Sequence, residues 1–429
     1  MKKLLSLLLV ALLTVSLFAA CAPKEKAPEE ITSVSAYKSK GEYTELTYKL
    51  SWEEINKFPI KSADMSIDEL RQLCVDFFRY AKLAQWIPDD SWDFYHMSEG
   101  RGPDTLLAGV VYGGLPYIGS AGSNIFRLFD YMDPETGVVD IKSATMYPNM
   151  FGNQCAQGAY VGWSRVINSA AYEGTPAMTR VNKFYPVGDY TYENIDYLPK
   201  WSGEYGTDEV VRDQIAADAL FECYAQLQHG DGIVYYTTAG HVVMIATDPV
   251  VVRDSAGKVD PNQSYVTVID QTPTYNSYTN EAGQTYQYEQ NVDTKWTFAY
   301  MQQHNYLPFT FEEWMGTNPI EETEWSFTHT GDTITLDQLT DASVTCNYHI
   351  YDMYAEVYDK WGSQVLKLAN RCKWASYYKA SLSLTASERN VVWGDPESLT
   401  AGGDYTVKVY MQLGTGERPT LWEGKLIVE

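Results

Sequence analysis

The chain has 429 residues, enough for two or three domains, and it carries 32 Lys and Arg against 56 Asp and Glu. The formal net charge of -24 argues against nucleic-acid binding, because the neutralisation of phosphates needs clustered cations. Aromatic residues make up 14% of the chain, with 34 Tyr and 12 Trp. This content fits either a Tyr-rich β protein or a surface of aromatic rings for glycan or peptide substrates.

The first residues are typical of an exported lipoprotein. Residues 1–20 form a short basic head and an apolar run, which is the pattern of a cleaved export signal. The run is too short for a comfortable membrane span, which needs about 20 apolar residues. The segment LFAAC at 17–21 resembles the bacterial lipobox, whose Cys carries lipid. We therefore expect lipidation at Cys21, a tether and N-terminal segment over residues 21–65, and an extracytoplasmic protein anchored to the cell membrane.

The first strong helical pattern spans residues 66–86. Ser66 suits the N-cap, and Glu69 completes a capping box in which each side chain satisfies a backbone amide of the other residue. Apolar residues then recur at helical spacing until Pro88, which marks the end of the pattern. The sequence therefore predicts one amphipathic helix before the central part of the chain.

Cysteine usage restricts the kinds of site that the chain can hold. The sequence has no C-x-x-C pair and its six His are scattered, so we expect no structural zinc and no cofactor. Cys74 and Cys223 lie in helical segments and are predicted to pack in cores. Cys346 and Cys372 could pair outside the cell, but the sequence leaves their connectivity open.

Cys155 differs from the other cysteines by its context. It follows a turn at Gly152 and opens a segment, 155–170, whose apolar residues recur at helical spacing. At the first turn of a helix, unpaired amides and the positive end of the helix dipole favour the thiolate, which is the nucleophilic form of cysteine. The alternative interpretation is a small buried cysteine in the core. A nucleophilic Cys155 also needs a base.

His241 is the candidate base. It begins a strongly apolar strand predicted over residues 241–247. A catalytic His needs an orienting acceptor, and the next predicted strand, 265–269, is followed by Asp270 and Gln271. Adjacent strand residues face opposite sides, so only one of the two should reach the ring. We assign Asp270 to this catalytic role, because its charge can stabilise the imidazolium, and Gln271 to substrate binding. Gln271 as the orienting residue and a purely structural role for His241 stay open as alternatives.

Other elements of the central region are predicted from local patterns. Strands are expected at 232–236 and 296–300, where apolar and aromatic residues cluster. Two polar insertions, 172–206 and 273–293, interrupt this region. Long insertions of this kind are usually surface loops and sometimes substrate lids.

The C-terminal region has a different character. An acidic linker at 319–324 precedes residues 325–429, which show short alternating stretches separated by turns. Residues 404–412 and 420–428 flank a Gly-containing turn, which is a hairpin pattern. The region is therefore predicted to form a small β-sandwich of immunoglobulin-like type, without chemistry of its own.

Four segments also follow the order of motifs in a known family. They are GGLPY at 113–117, Cys155 at its helix start, LQHGD at 227–231 and GHV at 240–242. They resemble the G-x-P-Y, D-C-S-G, L-x-P-G-D and G-H-V segments of the NlpC-type cell-wall peptidases, which are papain-fold cysteine enzymes. Gln154 stands where that family usually has Asp. The resemblance implies that Tyr117 lines the pocket beside the nucleophile, whose own backbone amide would donate to the oxyanion.

Together these observations predict an α+β protein with a papain-like catalytic domain over residues 66–318 and an immunoglobulin-like all-β sandwich over 325–429. The expected function is a lipid-anchored cysteine hydrolase that cuts amide bonds in peptidoglycan stem peptides through Cys155, His241 and Asp270. Its partners would be peptidoglycan or another peptide substrate, and the membrane through the lipid. Two alternatives stay open: an amidase or transglutaminase-like enzyme, and a non-enzymatic surface protein that binds a glycan or peptide.

Overall fold

A computed structural model describes most of the chain after the N-terminal segment. The described residues are 46, 48–93, 105–118, 124–145, 152–168, 184–188, 207–209, 211–212, 215–237, 239–273, 275–279, 285–289, 291–316, 320–371, 379–385 and 391–429. Cys21 and Cys372 lie outside these residues, so the lipidation site and the Cys346 to Cys372 pairing stay predictions. Within the described residues, no helix is long and apolar enough to cross a membrane.

The helices of the described residues are mostly short. In chain order they are α1 (Trp52–Ile55), α2 (Ile67–Leu83), α3 (Ile141–Thr145), α4 (Cys155–Trp163), α5 (Thr207–Glu209), α6 (Ala217–Tyr224), α7 (Phe298–Gln303) and α8 (Leu336–Thr340). Helix α2 confirms the first predicted helix, including its capping box between Ser66 and Glu69. It ends before Pro88, because Ala84 adopts extended backbone angles and the following residues enter a strand.

In the described residues the central sheet consists of six strands, all of which follow α4 in the sequence. Its order is β12 (Val292–Thr297), β9 (Tyr265–Ile269), β8 (Gly240–Ile245), β7 (Gly232–Tyr236), β13 (Leu307–Phe311) and β6 (Phe184–Pro186). Neighbouring strands pair antiparallel throughout. The predictions of β7 and β9 are confirmed to the residue, and β8 begins one residue before its predicted start.

The predicted strand at 296–300 is wrong in its second half. Strand β12 ends at Thr297, whose hydroxyl accepts a hydrogen bond from the amide of Tyr300 at 3.1 Å and so caps helix α7. Thr is favourable both in a strand and at an N-cap, and only the N-cap geometry shows where the change occurs.

A second sheet is assembled from distant parts of the chain. Its order is β10 (Tyr275–Thr279), β11 (Thr285–Glu289), β4 (Val111–Gly113), β1 (Gln85–Pro88) and β5 (Val138–Val139). The insertion at 273–293, expected to be a loop, therefore contains a hairpin whose β11 pairs parallel with β4. Its polar composition indicates a loop, whereas its alternating Tyr and Thr suit a strand once a partner edge is present. A short pair, β2 (Trp92–Asp93) and β3 (Thr105–Leu106), stands apart.

The C-terminal residues form one connected sheet. Its order is β15 (Thr333–Thr335), β21 (Thr420–Ile427), β20 (Tyr405–Leu413), β16 (Ser343–Asp359), β17 (Gln364–Arg371) and β19 (Val391–Trp393), with β14 (Trp325–Phe327) and β18 (Lys379–Ser383) also paired to β16. The predicted hairpin of β20 and β21 is confirmed. The 17-residue β16 pairs with four other strands and links all of them.

The predicted fold class is therefore wrong. The described residues form a mixed α/β structure with several large sheets, and neither a papain-like fold nor a separate immunoglobulin-like sandwich is shown. Local periodicity indicates whether a segment is a strand, but it carries no information about which distant strand becomes its neighbour. The long β16 and the hairpin of β10 and β11 depend on such distant pairings.

One hydrophobic core combines residues from before and after the linker at 319–324. It contains residues of α2 and α4 together with residues of the C-terminal sheet. The hydroxyl of Tyr348 in β16 donates to the carbonyl oxygens of Ser164 and Ile167, at 2.8 and 3.0 Å, just after α4 ends. Gly414 packs so closely on Ser164 that an added Cβ would lie 2.8 Å from its carbonyl oxygen. The C-terminal sheet thus braces the helix that begins with Cys155.

Candidate functional site

Cys155 is the first residue of helix α4, as the sequence predicted. The preceding amide of Gln154 donates to the side-chain oxygen of Gln157 at 3.2 Å, which helps to fix the start of the helix. Cys155 is buried, and its thiol approaches the carbonyl oxygen of Gly240 at 3.9 Å. Because Gly240 directly precedes His241, this contact brings the thiol to the start of strand β8.

Close packing fixes α4 on both sides. An added Cβ at Gly162 would lie 2.6 Å from the Cβ of Phe78 on α2 and 2.8 Å from the methyl of Met244 on β8. At Gly158 an added Cβ would lie 2.5 Å from the Cβ of Gln271. Such distances leave no room for a side chain, so α4 approaches the central sheet and the end of β9 as closely as a helix backbone can.

His241 faces Asp270 across the two strands that carry them. Its Nε2 lies 2.6 Å from Oδ2 of Asp270, whose side chain is 1% exposed, whereas that of His241 is 18% exposed. Since Nε2 is engaged, Nδ1 is the ring nitrogen that remains for the thiol of Cys155. The three side chains that the sequence analysis joined are therefore brought together in the order thiol, imidazole, carboxylate.

The protonation of His241 follows from these neighbours. Burial alone lowers its pKa, but hydrogen bonds to Asp270 and Cys155, with the charges of both groups, outweigh burial and raise the pKa to about 10. The imidazole therefore carries its proton at neutral pH. A protonated ring between two potential anions suits a thiolate and imidazolium pair better than a neutral thiol and a free base.

Asn291 completes the surroundings of the carboxylate. Its side-chain amide donates to Oδ2 of Asp270 at 3.2 Å, and its carbonyl oxygen accepts from the amide of Asp270 at 3.1 Å. Asn291 was not among the predicted site residues, because it lies in the insertion expected to be a loop. The available signal was its residue type, since Asn tolerates left-handed backbone angles and often hydrogen-bonds in turns.

Gln271 points away from the ring, as the alternation of strand residues requires. Its side-chain oxygen accepts from Nζ of Lys82 at 2.7 Å, and its side-chain nitrogen donates to the carbonyl oxygen of Leu115 at 2.9 Å. Both Gln271 and Lys82 are buried. This placement favours a role in holding the end of β9 against α2 rather than contact with a substrate, and the substrate-binding role predicted for Gln271 has no support in the geometry.

Tyr117 lies next to the segment that leads into Cys155. It forms a parallel bridge with Asn153, while the amide of Ile118 donates to the carbonyl oxygen of Asn153 at 3.1 Å. Its side chain is mostly buried, with 7% of the residue exposed. The structure therefore brings the GGLPY segment beside the nucleophile segment, and the pocket-lining role of Tyr117 stays a prediction.

A second tyrosine, absent from the predicted site, flanks His241. Tyr235 pairs with His241 across β7 and β8, and the two ring centroids are 6.4 Å apart. Tyr306 supports the ring of Tyr235 edge-on at 5.2 Å. Burial, and then the nearby charge of Cys155, raise the pKa of Tyr235. Tyr235 is half-buried and so provides an apolar wall with an accessible edge beside the reacting groups.

The LQHGD segment has a structural role. Asp231 accepts a hydrogen bond from the amide of Gln228 at 2.8 Å and so caps the turn. It is buried in an ion pair with Arg71 of α2 at 2.8 Å and also accepts from Thr310 at 2.6 Å. Among the described residues, no group of three or more His, Cys, Asp or Glu is arranged to hold a metal ion.

The arrangement can support nucleophilic attack by sulfur. A buried Cys at a helix start, a His that holds its proton and a buried carboxylate behind that His are the parts that such chemistry requires. No family model and no curated protein match this chain. The interpretation of the site therefore depends on its geometry.

Proposed function

We propose that the protein is an extracytoplasmic, lipid-anchored cysteine hydrolase that cuts amide bonds in peptidoglycan stem peptides. The observation that carries the proposal is the position of the His241 ring between the thiol of Cys155 and the buried carboxylate of Asp270, with Nε2 and Oδ2 2.6 Å apart. A core cysteine without chemistry would need neither a charged ring nor a buried carboxylate beside it.

In the proposed reaction the Cys155 thiolate attacks the amide carbonyl carbon, forming a C–S bond while the carbonyl oxygen becomes an oxyanion. The backbone amide of Cys155, at the free end of α4, is a donor for that oxyanion. As the C–N bond breaks, His241 gives its proton to the departing amine. Water then attacks the carbonyl carbon of the thioester while His241 accepts a proton from it. The C–S bond breaks and the carboxylic acid leaves, which restores the Cys155 thiolate and the protonated His241.

Asp270 has a supporting part in this scheme. Its carboxylate holds the Nε2 proton of His241, so the ring keeps Nδ1 toward the sulfur. The negative charge also stabilises the imidazolium, in accord with the raised pKa of His241. Asp270 therefore orients and charges the base without taking part in a bond change.

The proposed substrate class follows from the sequence and the surface beside the site. The expected lipid at Cys21 and the tether after it would hold the protein near the cell wall, where stem peptides are the abundant amides. The half-buried edge of Tyr235 suits an apolar or methyl-bearing side chain next to the scissile bond. The net charge of -24 further disfavours a nucleic-acid substrate.

Digestion of purified cell wall tests the proposal. We expect Cys155→Ala and Cys155→Ser to lower the rate by roughly 10⁴-fold or more, because removal of a nucleophile leaves only the remaining binding and oxyanion contacts. Cys223→Ala is the matched control, since Cys223 is another buried cysteine. A Cys155→Ala variant that digests as well as the parent would refute the assignment.

The products of the same digestion separate hydrolysis from transfer. Mass spectrometry should find new carboxylate and amine ends at one peptide bond of the stem. Incorporation of an added primary amine would instead indicate a transglutaminase-like reaction through the same acyl-enzyme. Release of ammonia from a side-chain or terminal amide would indicate an amidase.

Alkylation separates an enzyme from a binding protein. Cys155, Cys74 and Cys223 are similarly buried, so a difference in their rates with iodoacetamide reports chemistry rather than access. Burial raises the pKa of the Cys74 thiol, which should react slowly. Fast labelling at Cys155 alone supports the enzyme, and equally slow labelling of all three supports a non-enzymatic binding protein.

A further inference from the structure

We propose that Asn291 is a positioning residue for Asp270, and that a bulge at the start of β12, tied to helix α2, keeps it in place. The inference rests on the proposed function, because it concerns the reactivity of the same His241 and Cys155. It assigns a role to two residues of the insertion at 273–293, which local sequence patterns indicated only as a loop.

Asn291 and Asp270 are joined by two hydrogen bonds. The side-chain amide of Asn291 reaches Oδ2 at 3.2 Å, the same oxygen that lies 2.6 Å from Nε2 of His241. Its carbonyl oxygen accepts from the amide of Asp270 at 3.1 Å. One residue therefore holds both the backbone and the carboxylate of Asp270. Asp270 is thus held through its backbone amide and through Oδ2, which limits how far its side chain can turn away from the ring.

The backbone around Asn291 has an unusual conformation. Its φ is 62°, and that of Asp293 is 54°, so both residues adopt left-handed angles that side chains other than glycine rarely take. Val292 pairs with Ile269, but Thr294 pairs with Val268, so Asp293 is an extra residue in the ladder. Such bulges are enriched next to active sites, where they re-aim a side chain. This one turns Asn291 toward Asp270.

A salt bridge connects the bulge to helix α2. Nε and Nη2 of Arg79 donate to the two carboxylate oxygens of Asp293, at 2.7 and 2.8 Å, in a bidentate ion pair. Arg79 lies on α2, where Asp76 also contacts it at 2.5 Å. The paired geometry fixes direction as well as distance. Through Arg79, the bulge that contains Asp293 is connected to α2. Helix α2 packs against α4, which begins with Cys155.

The opposite face of the same strand end is held separately. Gln271, next to Asp270, is fixed by Lys82 of α2 and by the carbonyl oxygen of Leu115. Helix α2 therefore supports the end of β9 from both faces, through Lys82 on one and through Arg79 and the bulge on the other.

Replacement of Asn291 by glycine tests the role. Glycine accepts left-handed angles without strain, so Asn291→Gly removes the amide contact and keeps the turn. Asn305→Gly is the matched control, because Asn305 also has a left-handed φ, 61°, and follows helix α7 rather than strand β9. We expect Asn291→Gly to lower kcat roughly tenfold to a hundredfold with a smaller change in KM, since misplacement of a reacting group acts mainly on the chemical step.

The ring of His241 gives a readout that a merely structural role would not move. NMR titration of the folded variants should show a lower pKa for His241 in Asn291→Gly and an unchanged value in Asn305→Gly. Arg79→Gln, which removes the charge from the bulge anchor, should shift the pKa in the same direction by less. A folded Asn291→Gly protein with the parental kcat and the parental His241 pKa would overturn the inference.

The two proposals can fail separately. If the parent protein shows neither turnover nor fast alkylation of Cys155, the proposed hydrolase is wrong, while the His241 pKa still tests whether Asn291 holds Asp270. If the parent is active and Asn291→Gly matches it in every measurement, only the positioning role is wrong.

Discussion

Two buried carboxylates, Asp270 in the central sheet and Asp130 beside the C-terminal sheet, are surrounded by different partners. Asp130 forms ion pairs with Nζ of Lys367, at 2.6 Å, and with the guanidinium of Arg371. Asp270 instead forms a hydrogen bond with His241, whose ring also lies beside the thiol of Cys155. Asp130 therefore has permanent cations that compensate its charge, whereas Asp270 has a partner that can gain and lose a proton.

The comparison shows why burial of charge is a weak sign of function by itself. Burial opposes ionisation of Asp130, but the charges of Arg371 and Lys367 outweigh it and lower the pKa of its carboxyl group. Ion pairs of the cluster join the short 3-10 helix Ile125–Asp130 to strand β17. What distinguishes the Asp270 site is the chemistry of its partners, together with an accessible edge at His241.

The largest expected effect is on activity at the Asp270 site. Asp270→Asn keeps the shape but removes the charge, so we expect kcat to fall by roughly 10³- to 10⁴-fold, as for other triads whose acidic member is neutralised. The pKa of His241 should fall as well, because Asp270 contributes to its raised value. The alkaline limb of the pH–rate profile should then move to lower pH. An active Asp270→Asn enzyme with the parental profile would remove the distinction between the two carboxylates.

The next effect is on stability at the Asp130 cluster. Asp130→Asn leaves Lys367 and Arg371 buried with less compensation, which should cost about 3 kcal/mol of unfolding free energy by the usual penalty for breaking a buried pair. Chemical denaturation measures this loss. The activity per folded molecule should stay at the parental level, and a selective loss of kcat would indicate that the cluster communicates with Cys155.

The third effect is the pH dependence of stability, which should have opposite signs at the two sites. The raised pKa of His241 contributes stability that is full below its ordinary value of 6.5 and is lost as pH rises toward about 10. The lowered pKa of Asp130 contributes stability above its ordinary value of 3.8 that is lost as pH falls. We expect the free energy of unfolding, measured by denaturation at several pH values, to depend less on pH on the alkaline side in His241→Gln. In Asp130→Asn it should depend less on pH on the acid side. Variants with unaltered slopes would contradict these assignments.

Local chemistry made much of the site predictable. The capping box at Ser66, the helix that begins at Cys155, and the strand before Asp270 each follow from short-range patterns that the structure contains. Strand alternation predicted that only one of Asp270 and Gln271 would face the ring, and the charge of the carboxylate favoured Asp270. The contact with His241 agrees with that choice.

The fold could not be predicted in the same way. The C-terminal residues indicate strands and one hairpin, but the pairing of β16 with four other strands depends on segments far apart in the chain. Likewise, the polar hairpin of β10 and β11 becomes part of a sheet only because β4 offers an edge. Asn291 was missed for a similar reason, since its contact with Asp270 depends on a bulge in the pairing of β12 with β9.

The sequence by itself determined the reactive residue types, the helix that places Cys155 at its first turn, and the expected export of the chain, because these depend on local patterns. Only the tertiary structure decided that His241, Asp270 and Asn291 meet beside that helix and that the C-terminal sheet braces it. Strand order, bulges and shared cores are set by contacts between distant segments, whose free energy no single segment carries. The thiol at Cys155 is thus a local feature, and its partners are a property of the whole fold.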